Sequence, residues 1–196
     1  MIRRQFHSQT LDRFHHEHAQ VDIDNVEGVK LLRMKTLLVL RHAKSSWNDS
    51  ALDDHERPLN KRGRRDAPRM GELVREYGLM PGVVISSDAV RARLTAEAVA
   101  EAARYAGEIL LDPRLYMAGP ADILSLLATL RENAETVMIV GHNPGLEKLV
   151  EQLTGEGQDL PTAALAQIGL PIDQWCELKL STPGTLVGLW RPEELA

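Results

Sequence analysis

Thr36-Leu-Leu-Val-Leu40 runs without a break into Arg41-His42-Ala43-Lys44. A short apolar run with no polar alternation suits a strand buried on both faces, as in the middle of a parallel sheet. Downstream, residues 42–59 are polar, contain Trp47 and Pro58, and read as a long loop. Asn60 is placed to cap a helix over Lys61–Tyr77 that Gly78 stops. Gly82–Ile85 is a second apolar run, followed by Ser86-Ser87-Asp88 as cap residues and an Ala- and Glu-rich helix to about Tyr105. Glu108–Leu111 predicts a third strand, Pro120–Arg131 a third helix, Thr136–Val140 a fourth strand and Pro144–Leu153 a fourth helix. Ala163–Leu170 and Thr185–Trp190 predict two more strands. This alternation predicts an α/β fold, a three-layer sandwich with a mostly parallel central sheet and helices on both faces.

At 196 residues the chain suffices for one domain with a full core. A net charge of −5 gives no global positive field to attract nucleic acid or a membrane surface. Cys176 stands alone, so no internal disulfide forms, and a cytoplasmic, reducing setting is expected. No apolar run approaches the roughly 18 residues that cross a bilayer. Residues 1–33 differ from the rest: His7, His15, His16 and His18 lie among balanced charges with no apolar period. Asp12, Glu17, Asp22 and Asp24 argue against a transit peptide, and no apolar core marks a secretory signal. The expectation is a loosely ordered extension over 1–33 and a folded domain over 34–196, opened by Met34.

In open α/β sheets, ligands sit beyond the carboxyl ends of the strands. Arg41-His42-Ala43-Lys44 ends the first strand, Ser86-Ser87-Asp88 the second with Arg91 just inside the next helix, and Gly141-His142-Asn143-Pro144 the fourth. Two of the three histidines after residue 33 fall at these ends, and the third, His55, lies in the long loop. Asn143 reads as an N-cap with Pro144 as first helical residue, which sets His142 beside a helix N-terminus whose free N–H groups favour an anion. If Asp88 caps the second helix, Arg91 is its third residue and leans back toward the same place. Permanent charge and a planar fork suit arginine to phosphate oxygens. A locally basic pocket on an acidic chain implies a small anionic group.

Arg41-His42-Ala43, Ser86…Arg91-Ala92-Arg93-Leu94-Thr95-Ala96 and Gly141-His142-Asn143-Pro144 together resemble the histidine phosphatase (phosphoglycerate mutase-like) superfamily. Lys44-Ser-Ser-Trp47, Arg57-Pro-Leu-Asn-Lys-Arg-Gly63 and Asp66-Ala-Pro68 make the chain most similar to the SixA-type phosphohistidine phosphatases. The resemblance begins at about Met34. It implies that His42 is transiently phosphorylated, that Arg41 and Arg91 clamp the phosphoryl oxygens, that His142 completes the pocket, and that Arg57 reaches the phosphate. It implies a hydrolase that needs no metal and no cofactor. A neutral imidazole is a competent nucleophile near pH 7, and fixed arginines can stabilise the charge on the equatorial oxygens.

One departure bears on substrate. Many members of that superfamily carry a carboxylate straight after the second histidine or after the third strand; here those places hold Asn143 and Arg114-Leu-Tyr-Met117. An alkoxide leaving group needs a general acid, whereas imidazole is far less basic. A phosphoramidate is therefore the expected substrate, and the resemblance implies phosphohistidine on a protein partner. The alternatives are small phosphoesters, or a catalytically silent phosphate-binding module. Asp53, Asp54, His55 and Glu56 lie in a loop that could supply a proton, but are expected to be a solvated charge cluster. Other phosphatase patterns fail: Asp22-Ile-Asp24 lacks a preceding apolar strand, Cys176 has Thr182 where an arginine is needed, and His16-Glu-His18 has Gln20 at the second zinc position. The sequence leaves the oligomeric state open.

Overall fold

Leu37, Leu38, Val39 and Leu40 are fully buried, the outcome expected of a strand covered on both sides. In the computed structural model, which describes residues 34–131 and 134–195, this strand is β1 (Lys35–Arg41) at the centre of a six-stranded sheet. The expected extension over 1–33 lies outside the described residues. The other strands are β2 (Val83–Ser86), β3 (Ile109–Leu111), β4 (Thr136–Gly141), β5 (Leu165–Leu170) and β6 (Thr185–Trp190), in the spatial order β3-β2-β4-β1-β5-β6. β3, β2, β4 and β1 pair in parallel, β5 runs against β1, and β6 runs against β5. All the described strands except β5 therefore point the same way.

Side-chain alternation along β1 divides the core in two. Leu37 and Val39 pack with α3 (Pro120–Leu127) and α4 (Gly145–Thr154), including Ile123, Leu127, Leu146 and Leu149. Leu38 and Leu40 pack with α1 (Lys61–Glu76) and α2 (Val90–Ala103), including Met70, Val74, Ala96 and Val99. The result is the expected three layers. None of the helices among the described residues is long and apolar enough to cross a membrane.

Helix ends agree with the sequence reading in part. Asn60 caps α1 by accepting from the Gly63 N–H at 2.9 Å. Asp88 does not cap α2; that helix follows Ala89 without a side-chain cap, and Arg91 is its second residue. Asp88 instead meets the His55 ring, Nε2 to Oδ1 at 3.0 Å. Asn143 does not cap α4 either. The helix begins at Gly145 after Pro144, and the Asn143 Nδ2 donates to the Leu160 carbonyl at 3.0 Å. In both cases a partner distant in sequence outcompeted the local backbone for the side chain.

The sheet's register matters most for function. Arg41 lies opposite Gly141 across the parallel β1–β4 pair, and the His42 N–H donates to the Gly141 carbonyl at 3.0 Å. α4 must then start close to the loop after β3, and a Cβ on Gly145 would collide with the Ala118 carbonyl oxygen. Helix propensity favours alanine over glycine by up to about 1 kcal/mol, but a backbone oxygen has little room to give way. Gly145→Ala is expected to cost about 1–3 kcal/mol by urea denaturation. Gly157→Ala, whose Cβ would meet nothing nearer than Glu151 Oε1 at 4.0 Å, should stay within about 0.5 kcal/mol of the parent.

Candidate active site

His42 and His142 leave adjacent strands at the same level, and their rings lie 4.9 Å apart, centroid to centroid, tilted by 51°. Both are buried, 9% and 4% exposed. The His42 Nδ1 is 2.8 Å from the Ala43 carbonyl oxygen, which only accepts. The ring proton therefore sits on Nδ1, and Nε2 keeps its lone pair. Ala43 is held in turn: its N–H donates to Thr95 Oγ1 at 2.9 Å, and the Thr95 hydroxyl donates to the Arg91 carbonyl at 2.6 Å. The first turn of α2 thus fixes the loop that presents the nucleophile.

Burial, with further contributions from Arg91 and Arg41, pushes the His42 imidazole down to about 4, despite the opposing effect of the Ala43 carbonyl. Burial, His42 and Arg91 push His142 down to about 3. Both rings are neutral at pH 7. His142 Nε2 lies 2.9 Å from the Ser87 Oγ, and the edge of Tyr116 packs against the ring at 5.3 Å.

The arginines are held by partners that the sequence reading undervalued. Arg91 donates to the Asp54 carbonyl and, through Nη2, to the Asp54 carboxylate at 2.8 Å. Arg57 donates to the same carboxylate at 2.6 Å, to Ser45 Oγ at 2.7 Å and to the Ser46 carbonyl at 2.9 Å. Its guanidinium carbon lies 3.1 Å from the centroid of the Trp47 ring. The Tyr116 hydroxyl also donates to Asp54, at 2.9 Å. Partial burial alone would raise the Asp54 carboxyl, but Tyr116, Arg91 and Arg57 together hold it below the usual carboxylate range. Asp54 and His55 are thus more than the solvated charge cluster expected from sequence: Asp54, half exposed, bridges two guanidiniums and a phenol, and His55 meets Asp88. The loop approaches α2 across 37 residues of chain, a contact that local pattern does not encode.

Arg41 Nη1 donates to the Leu160 carbonyl at 2.7 Å, the acceptor that also takes Asn143 Nδ2, while its charge reaches His42. Among the described residues, the buried side-chain atoms without a hydrogen-bond partner are Arg41 Nε, His142 Nδ1 and Asn143 Oδ1. All three belong to residues at the ends of β1 and β4. Two of these atoms are nitrogens, and a bound oxyanion would offer acceptors to them. The structure therefore brings together His42, His142, Arg91 and Arg57, with Arg41 beside His42. It adds Asp54, Tyr116, Ser87 and Thr95. Of these, Thr95 stood in a motif block without a role, and Ser87 was read only as a cap residue.

A family model for the histidine phosphatase superfamily (branch 1) matches residues 37–116. An uncharacterized chloroplastic protein of Arabidopsis thaliana is 33% identical over 175 residues, covering 81% of this chain and 78% of that one. A solved structure assigned as the phosphohistidine phosphatase SixA of Agrobacterium tumefaciens is 30% identical, covers 81% of this chain and 98% of its own, and superposes with a TM-score of 0.68. A tungstate complex of a protein histidine phosphatase SixA, 23% identical, covers 82% of this chain and 99% of its own with a TM-score of 0.71, and shows likeness of fold.

Two outcomes follow from the site's charges. Below pH 6.5 the unfolded chain protonates both imidazoles, whereas the folded protein does not until about 4 and 3. Stability should therefore fall as pH drops from 6.5 to 5, and the urea midpoint of His42→Gln should fall less over the same window. Asp54 places a negative charge where an oxyanion would compete for the same guanidiniums. By calorimetry, Asp54→Asn should bind vanadate roughly fivefold more tightly, the effect of about 1 kcal/mol of relieved repulsion; weaker binding would show that holding the arginines in place outweighs that repulsion.

Proposed function

This chain belongs to the histidine phosphatase superfamily, and we propose that its phosphatase reaction runs through a phosphorylated His42 and acts on phosphohistidine carried by a protein partner. One observation carries the reading: a buried, neutral imidazole whose proton is committed to the Ala43 carbonyl and whose Nε2 is free to attack.

In the first step the Nε2 lone pair forms a bond to phosphorus as the bond from phosphorus to the substrate imidazole nitrogen breaks. The electron pair leaves with the substrate ring, whose other nitrogen already holds or gains a proton from solvent. Charge on the three equatorial oxygens is met by Arg41 and Arg91, by Arg57 at the mouth, and by His142. Nδ1–H stays on Ala43 throughout, so the imidazolium character that develops on phosphorylation has an acceptor. In the second step water attacks phosphorus, the P–Nε2 bond breaks, and inorganic phosphate leaves.

Three side chains at the pocket, Asp54, Tyr116 and Asn143, offer no ready acid, which supports a phosphoramidate over an alkyl phosphoester. Asp54, the carboxylate at the arginines, is held as the anion. Burial and the Asp54 carboxylate raise Tyr116, so its hydroxyl keeps its proton and is a weak acid. Asn143 follows His142 and has no proton to give. A protein-borne substrate is supported by the rim. Trp47, stacked on Arg57, is 74% exposed, and Met117, next to Tyr116, is 63% exposed. Exposed apolar side chains at the mouth of a polar pocket offer a protein partner contacts that a small phosphoester would not use.

Given a phosphohistidine-bearing protein, the wild type should accumulate an acid-labile, alkali-stable phosphoryl group at residue 42 on rapid quench and release phosphate. His42→Ala should do neither, and full turnover by that variant would dismiss the nucleophile. Turnover should rank phosphohistidine protein above aryl phosphates and aryl above sugar phosphates. A reversed order would assign the site to small phosphoesters.

A further inference from the structure

Ser87 lies just beyond β2, with its N–H donating to the Val140 carbonyl at 2.9 Å, so the sheet sets it beside the end of β4 and hence beside His142. It is fully buried. Its Oγ accepts from the Ala89 N–H at 3.3 Å and lies 2.9 Å from His142 Nε2. We propose that Ser87 is a positioning residue that donates its hydroxyl proton to His142 Nε2, thereby fixing the His142 proton on Nδ1, where it serves as a hydrogen-bond donor to the phosphoryl group.

The argument is an accounting of protons. His142 is neutral, so its ring carries one proton, on either nitrogen. With that proton on Nε2, the Ser87 Oγ would accept from both Ala89 and His142. The serine's own proton would then have no acceptor among the described hydrogen bonds, in a place that water does not reach. The buried Nδ1 would also be left as a lone pair with no donor to meet it. With the proton on Nδ1, the hydroxyl donates to Nε2, Ala89 still has its acceptor, and no proton on the Ser87 side is stranded. One buried donor is then left over, Nδ1–H, which has no partner among the described residues. The ring that carries it stands 4.9 Å from that of the nucleophile, and a phosphoryl oxygen supplies the missing acceptor. His42 and His142 thus use opposite strategies. His42 is locked by a carbonyl so that it offers a lone pair, and His142 is locked by a hydroxyl so that it offers a proton.

The donor role of Nδ1–H rests on the phosphoryl-transfer reading of the site, while the position of the proton does not, so the two are tested separately. Long-range proton–nitrogen NMR of protein with labelled histidine, at pH 7, reports the tautomer directly. His142 is expected to carry its proton on Nδ1 in the wild type and to lose that preference in Ser87→Ala. Vanadate binding, followed by calorimetry, should weaken about 10- to 100-fold in Ser87→Ala, the effect of losing a hydrogen bond to a charged group. Ser87→Thr, which keeps the hydroxyl, should restore both tautomer and affinity. A wild-type His142 protonated on Nε2 would overturn the proposal without recourse to any variant. So would a Ser87→Ala protein that keeps the Nδ1 proton and binds vanadate as before. An Nδ1 proton in a protein that never phosphorylates His42 would spare the tautomer and sink the phosphatase reading alone.

Discussion

The site exists because β1 and β4 are parallel and in register, Arg41 opposite Gly141. Parallel pairing sends both chains out of the sheet at the same edge, so the next residues, His42 and His142, emerge side by side. An antiparallel pair would put the two histidines at opposite ends of the sheet. Everything else is arranged around that coincidence. β2 delivers Ser87 on the far side of β4, the following helix delivers Arg91, and the loop from β1 folds back to bring Arg57 and Asp54. A slip of one residue in the β1–β4 register would also exchange the two apolar faces of β1 between the helix layers, so the hydrophobic core and the chemistry enforce the same alignment.

Two cationic side chains next to two imidazoles create an electrostatic problem that the structure settles in two ways. The rings are kept neutral by burial and by the nearby positive charge. Arg57 and Arg91 are shared by a single carboxylate, Asp54, half in solvent. That carboxylate faces the guanidiniums as a phosphoryl group would, with two oxygens and a net negative charge, but it belongs to a loop able to reach water. The arginines are thus already bent toward a common centre before substrate arrives, which reduces the ordering that binding must impose.

Much of this was legible in the sequence for a physical reason: the informative signals were local. The apolar run at residues 36–40, the glycine stop at 78 and the Asn60 cap are properties of a few neighbouring residues, and they hold in the structure. Strand ends followed by histidine and arginine could be picked out because topology alone brings strand ends together. What escaped notice was set by tertiary competition. Asn143 and Asp88 have the chemistry of helix caps but are claimed by Leu160 and His55. Asp54 looks like one more charge in the run Asp53-Asp54-His55-Glu56 until the loop closes on α2. Ser87 looks like a helix-cap residue until the neighbouring strand supplies an imidazole. In each case the side chain has two possible partners, and only the fold decides which is nearer.

The tight approach of Gly145 to the Ala118 carbonyl has a consequence for how such a pocket diversifies. The segment that carries Tyr116 and Met117 is wedged against the start of the helix that follows His142, so its path is dictated from behind while Tyr116 packs into the site and Met117 faces solvent. Exchanging residue 117 alters what the mouth admits and leaves the wedge alone. Lengthening the segment near residue 118 would tilt the helix and drag His142 out of line with His42. New specificities in this lineage should therefore arise by substitution on that stretch, with insertions accommodated in the longer crossing between Lys44 and Arg57.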